Sequence, residues 1–182
     1  MTYSSAIEYL YGLQKHGIKL GLETMRTLLG RLGNPERRFK SLHIGGTNGK
    51  GSTAAMTASM LQAAGYRVGL YTSPHLVDFR ERIRVNQVMI AEAQVAEITE
   101  RLRAIVPSGL TPTFFELNTA MAFLHFAESG VEAAVLEVGL GGRFDATNVR
   151  ASDLAAADEF RVFQHSHVLR SGGKGHPQRR RQ

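Results

Sequence analysis

The sequence contains no cysteine. It can therefore build no disulfide framework, no thiolate metal site and no cysteine nucleophile, and it is compatible with a reducing compartment. Nowhere does an apolar run approach the roughly 20 residues needed to cross a bilayer. Met1-Thr2-Tyr3-Ser4-Ser5-Ala6 lacks the basic stretch and apolar core of a secretory leader. No internal repeat is visible. What is present suits one domain of ordinary size: 182 residues, 43% hydrophobic and 21% charged, apolar enough to offset the entropy of folding. A soluble cytoplasmic protein is the expectation.

The net charge of +6 is unevenly placed. Residues 1–149 carry 15 basic and 13 acidic side chains, whereas residues 150–182 carry 7 and 3. Most of the positive charge thus falls in a terminal stretch that contains Gly172-Gly173-Lys174-Gly175-His176-Pro177 and Arg179-Arg180-Arg181, which reads as an unfolded tail. A nucleic-acid protein would carry that charge on a folded face beside aromatic or groove-reading elements, so nucleic acid is not the expected partner.

Helical and strand patterns alternate through the first 150 residues, which predicts an α/β layer architecture. Ser5 is placed to cap a helix carrying Ile7, Leu10 and Tyr11, closed by Gly17. A second helix is predicted near Leu22 to Leu32, before Gly33-Asn34-Pro35. Phe39 to Ile44 reads as a strand, Ser52 to Ala64 as a helix ended by Gly65, and Arg67 to Thr72 as the neighbouring strand of a parallel crossover. A strand at Arg82 to Val85, a turn at Asn86-Gln87, helices at Ala91 to Val106 and Thr113 to Glu128, and a buried strand at Glu132 to Val138 follow. Beyond Asn148 the pattern fades.

Between the predicted strand and helix lies His43-Ile44-Gly45-Gly46-Thr47-Asn48-Gly49-Lys50-Gly51-Ser52-Thr53. Glycines let several backbone N–H groups converge on a phosphate chain, the helix adds its positive end, and a lysine adds a mobile charge. A nearby hydroxyl can reach a magnesium ion. The spacing is not GxxxxGK[ST], because Ile44 occupies the first glycine position and Gly51 separates Lys50 from Ser52. Read without a ligand, the same segment is a glycine-rich turn with an exposed lysine.

Two further positions converge on this edge. Tyr71-Thr72-Ser73-Pro74-His75 ends the next strand, so its hydroxyls emerge beside the loop at the carboxyl edge of the sheet. Glu137 is an acid inside an apolar strand, costly to bury unless it is paired or holds a metal. It reads as a metal ligand, or as a carboxylate that pairs with Arg143 or caps a turn. His43, His75 and His125 read as loop or core hydrogen-bonding residues.

Five blocks occur in one order: Gly46-Thr47-Asn48-Gly49-Lys50-Gly51-Ser52; Thr72-Ser73-Pro74-His75; Glu81-Arg82-Ile83-Arg84-Val85-Asn86; Thr113-Phe114-Phe115-Glu116; and Leu136-Glu137-Val138-Gly139 continuing through Gly141-Gly142-Arg143-Phe144-Asp145-Ala146-Thr147-Asn148. In this order and at these separations they closely resemble the folylpolyglutamate synthase/dihydrofolate synthase family of the Mur-ligase superfamily, from the N-terminus to about Val149. The resemblance implies an α/β fold with a phosphate-binding loop and a mostly parallel sheet covered by helices on both faces. It also implies ATP-dependent ligation of L-glutamate to dihydropteroate or folate through an acyl phosphate.

By the same resemblance, Lys50 is the catalytic residue, and Gly46, Thr47, Asn48, Gly49, Gly51 and Ser52 complete the ATP loop. Ser73 and Glu137 match magnesium ligands. His165 stands in a degraded counterpart of the family's Asp-His pair, with Gln164 where Asp is expected. Thr113, Phe115, Asp145 and Ala146 match positions lining the pterin or folate pocket, although Phe115 also suits core packing. The segment from Ser73 to about Asn86 resembles a mobile active-site loop.

Family members continue past Asn148 into the rest of the ATPase domain and a glutamate-binding domain. The expectation is therefore a truncated, inactive and monomeric fragment: residues 1–149 from the ATP-binding domain, a divergent tail at 150–182, and a sheet left with an open edge. The alternatives are a Mur-type peptide ligase fragment and a non-catalytic nucleotide- or nucleic-acid-binding module.

Overall fold

Alternating side chains decide which face of each strand is covered by which helix. The computed structural model describes residues 1–17, 21–139, 145–152 and 159–163. Its elements are α1 (Tyr3–Gly12), α2 (Glu23–Arg31), β1 (Lys40–Gly45), α3 (Lys50–Ala63), β2 (Val68–Tyr71), β3 (Ile83–Val85), β4 (Val88–Met89), α4 (Glu92–Ile105), α5 (Phe114–Glu128), β5 (Ala133–Glu137) and β6 (Glu159–Phe163). The strands form one sheet in the order β4-β3-β2-β5-β1-β6. β2, β5, β1 and β6 run parallel, and β3 and β4 are antiparallel additions at one edge. The expected α/β fold, mostly parallel with helices on both faces, is what the chain adopts.

Ile44, Val68, Leu70 and Val135 face α3, where Ala54 and Ala58 meet them. Small alanines let this helix lie close to the sheet. On the other face, Tyr71, Ala134 and Leu136 join residues of α1, α2, α4 and α5 in the larger core. Gly69 lies under Phe126, and a β-carbon there would stand 2.9 Å from the ring. α5 buries residues around its whole circumference, including Leu117, Met121 and Phe123, as a central helix must.

The order corrects one expectation. β2 is not the neighbour of β1, because β5 lies between them and pairs with both. A strand-helix-strand pattern shows the crossover but not which later strand enters the gap. The consequence is that Glu137, at the end of β5, stands between the loop after β1 and the residues after β2.

Local chemistry moves several boundaries. Thr2, not Ser5, caps α1, and Ser5 closes the capping box from the third helical position. α3 begins at Lys50 rather than Ser52. Asn86 and Gln87 both have positive φ, 47° and 67°, and turn β3 into β4. β4 escaped the sequence pattern because it has only two residues, both exposed. Where the sequence pattern fades, the structure describes a 3-10 segment at Ala146–Ser152 and β6, which pairs in parallel with β1. Of the tail expected at residues 150–182, residues 153–158 and 164–182 lie outside the described residues. Among the described residues, no helix is long and apolar enough to cross a membrane.

Candidate functional site

β1 delivers the chain to a loop that only glycine accommodates easily. Gly46 and Gly49 have φ of 148° and 74°, a region that side chains with a β-carbon rarely adopt. α3 starts directly after Gly49 with no side-chain cap and no acid in its first turn. Its free N–H groups and the helix dipole therefore favour an anion there. Lys50 Nζ donates to the carbonyl of Thr47 at 3.4 Å, folding the lysine back over the loop. Thr47, Asn48, Gly49 and Ser52 are exposed, while Gly46, Lys50 and Gly51 are half-buried.

Glu137 reaches the same place from β5. Its side chain is buried, and Oε2 accepts the backbone N–H of Ser73 at 3.0 Å. A β-carbon on Gly51 would lie 3.5 Å from that oxygen, so the first turn of α3 rests against the carboxylate. Burial raises the Glu137 pKa above the ordinary carboxylate value, against the opposing pull of the Ser73 N–H and of Lys50. A buried carboxylate destabilised in its charged form, next to a serine, is a hard-oxygen donor set of the kind magnesium takes. Lys50, Gly51, Ser73 and Glu137 are thus brought to one edge of the sheet.

The expected acceptor residues lie on the other face. Thr113 is the N-cap of α5: its hydroxyl accepts the Glu116 N–H at 3.2 Å, and Glu116 accepts the Thr113 N–H at 2.7 Å. Its hydroxyl is therefore committed to the helix end. Phe115 is half-buried, 6.0 Å from the Tyr71 ring centroid. Asp145 is buried, and its Oδ1 accepts from the N–H and hydroxyl of Thr147 at 3.0 and 2.6 Å. Phe115 and Asp145 meet across Gly139, where a β-carbon would lie 2.7 Å from Phe115 Cζ and 3.2 Å from Asp145 Oδ2. Ala146 packs in the core.

His165 and Arg143 lie outside the described residues. Among the described residues, no group of three or more His, Asp or Glu side chains is placed to hold a metal. The candidate metal position therefore rests on Ser73 and Glu137.

The segment from Ser73 to Asn86 is more ordered in its second half than a loop. It contains the 3-10 turn Phe79–Arg82 and then β3. Glu81 accepts the N–H groups of Leu76, Val77 and Asp78 at 2.9, 3.0 and 2.7 Å, which leaves Leu76 and Val77 at an exposed tip. Two of the three histidines form the expected hydrogen bonds: His43 Nε2 meets the Thr147 carbonyl at 2.8 Å, and His75 meets the Tyr11 hydroxyl at 3.2 Å, while His125 is buried beside the Phe126 ring. The sequence reading gave Arg82 no role, yet its side chain is buried beside His75 and Phe114. Only its place in the Glu81-Arg82-Ile83-Arg84 block could have drawn attention to it.

No family model matches the chain. Over 155 residues, 81% of this chain, it is 46% identical to the dihydrofolate synthase/folylpolyglutamate synthase of Bacillus subtilis (strain 168), of which the match covers 36%. The fold is similar to that of a folylpolyglutamate synthase from Thermotoga maritima, with a TM-score of 0.75 and 53% identity over 81% of this chain and 35% of that one. It is also similar to a folylpolyglutamate synthase solved as a complex with AMPPCP and folate, with a TM-score of 0.75 and 36% identity over 82% of this chain and 38% of the other. The chain spans about a third of the length of the relatives it matches.

Proposed function

Because the chain is homologous over most of its length to the folylpolyglutamate synthase/dihydrofolate synthase family, we propose that it forms the nucleotide-handling part of an ATP-dependent ligase. The reaction joins L-glutamate to dihydropteroate or a folate through an acyl phosphate. The observation that carries this reading is the convergence of Lys50, Gly51, Ser73 and Glu137 at one sheet edge. The relative solved with AMPPCP and folate supports it, since AMPPCP is an analogue of ATP.

Residues Gly46 to Ser52 cradle the phosphates of ATP, and Lys50 balances their charge. Glu137 and Ser73 would hold Mg2+, which supplies further neutralisation of the β- and γ-phosphates. An oxygen of the acceptor carboxylate attacks the γ-phosphorus, and ADP leaves. The amine of L-glutamate then displaces phosphate from the acyl carbon to form the amide. No side-chain nucleophile is needed, which agrees with a site built of loop, lysine and carboxylate. Phe115 and Asp145 border the acceptor. Residues 1–149 form the ATP-binding part, to which β6 adds a strand. The reading places the chain in the cytoplasm as a monomer with small-molecule substrates and no nucleic-acid or membrane partner.

Thermal melting of the 182-residue chain tests this. Ligands that bind the folded state raise the midpoint by mass action. ATP with magnesium should raise it, and dihydropteroate should raise it further. An unchanged midpoint with saturating ATP and magnesium would contradict the proposal.

A further inference from the structure

Arg82 is buried, 6% exposed, at the end of the 3-10 turn Phe79–Arg82. A buried guanidinium is costly unless an anion neutralises it. Among the described residues, the arginines in ion pairs are Arg26, Arg37, Arg80 and Arg101, and Arg82 is not one of them. What holds Arg82 is neutral. Its Nε donates to His75 Nδ1 at 2.7 Å, and a ring nitrogen that accepts carries no proton. Its guanidinium carbon lies 5.3 Å from the Phe114 ring centroid. Phe114 is itself fixed by Tyr11, stacked at 5.4 Å and 17°, and by Phe79, edge-on at 6.4 Å. This aromatic setting orients the cation, and among the described residues no carboxylate forms an ion pair with it.

The main chain fixes where that charge stands. The carbonyl of Arg82 accepts the Thr72 N–H at 3.0 Å, one residue before Ser73. On the side-chain side, its charge acts on the buried phenol of Tyr71, as do those of Asp145 and Glu137. Tyr71 and Phe79 belong to the core on the face opposite α3, with Phe114 and Phe115 packed against it. The phosphate loop and Lys50 open onto the α3 face. The two cations therefore stand on opposite faces at one edge of the sheet, Arg82 on the face that carries Phe115.

We propose that Arg82 receives the carboxylate of the acceptor substrate. The assignment rests on the ligase reading above and names the side chain that holds the group to be phosphorylated. A planar guanidinium matches a carboxylate with two parallel hydrogen bonds, which a lysine cannot reproduce. His75 and Phe114 keep the fork in position before the substrate arrives.

The test is calorimetric titration of the 182-residue chain, loaded with AMPPCP and magnesium, with pteroate and with the uncharged methyl ester of pteroate. The unmodified chain should prefer the acid by about tenfold or more, the size of a charged hydrogen-bonding contact. Arg82→Gln should weaken the acid alone and bring the two compounds within about twofold, and Arg82→Lys should fall between, by the same principle. A preference that survives Arg82→Gln, or equal weakening of both compounds, would overturn the proposal. If Arg82→Gln does not fold, the Arg82 Nε resonance of the unmodified chain decides, assigned by its loss in Arg82→Lys. It should move with pteroate and not with the ester, and an unmoved resonance overturns the proposal. A chain that binds AMPPCP but neither pteroate compound overturns this assignment alone. A chain that binds no nucleotide overturns the ligase reading as well.

Discussion

Oε2 of Glu137 accepts the backbone N–H of Ser73 at 3.0 Å, tying the end of β5 to the second residue after β2. Burial raises the pKa of this carboxyl. A group whose pKa is raised on folding contributes stability while protonated, below its ordinary range, and loses it as the pH rises through the folded value. The charged form of the side chain therefore opposes folding until a cation reaches it. Glu137→Gln should raise the melting midpoint of the chain without magnesium at pH 7, and that gain should shrink as the pH falls through the carboxylate range. The same variant should lose the increment that magnesium adds in the presence of ATP. Melting curves from pH 4 to 7, with magnesium and with EDTA, check both signs. A lower midpoint at pH 7 without magnesium would contradict the account.

Gly69 of β2 lies directly against the Phe126 ring of α5. A β-carbon at residue 69 would stand 2.9 Å from two ring atoms, closer than nonbonded carbons approach. Gly69→Ala should cost about 1–3 kcal/mol, the usual penalty of overpacking a core. Denaturant unfolding measures it. An unchanged midpoint would mean that α5 can move off the sheet without cost.

Gly139 separates Phe115 from Asp145, and a β-carbon there would lie 2.7 Å from Phe115 Cζ. Gly139→Ala should displace the ring, weaken pteroate binding by about tenfold, the loss expected when a packed contact is misplaced, and leave AMPPCP affinity as it was. Titrations of the one variant with the two ligands separate these effects. Equal loss of both would show that Gly139 serves the whole sheet edge.

Much of this was legible in the residues. The run from Phe39 through Gly49-Lys50 announces a strand, a phosphate loop and a helix because glycine there has few other uses. Glu137 stands out because an acid inside an apolar strand must have a partner. The capping role of Thr113 was masked by its place in a family block, although Glu116 three residues later is the signature of a capping box.

Long-range order was not legible. Nothing local says that β5 enters between β1 and β2, yet this places Glu137 between Lys50 and Ser73. β6 alternates as Glu-Phe-Arg-Val-Phe, but its pairing with β1 depends on a partner more than 100 residues away. Arg82 is not legible in the sequence, because a sequence does not show that a charged side chain is buried or that no described carboxylate forms an ion pair with it.

The central claim is that the Gly46 to Ser52 loop and Glu137 together bind magnesium nucleotide. Calorimetric titration of the 182-residue chain with AMPPCP, with magnesium or with EDTA, tests it most directly when repeated on Lys50→Ala. The account predicts binding that tightens with magnesium, and a loss of about tenfold or more in Lys50→Ala, the scale of a charge-assisted contact to phosphate. Affinity that is indifferent both to magnesium and to Lys50→Ala would contradict it.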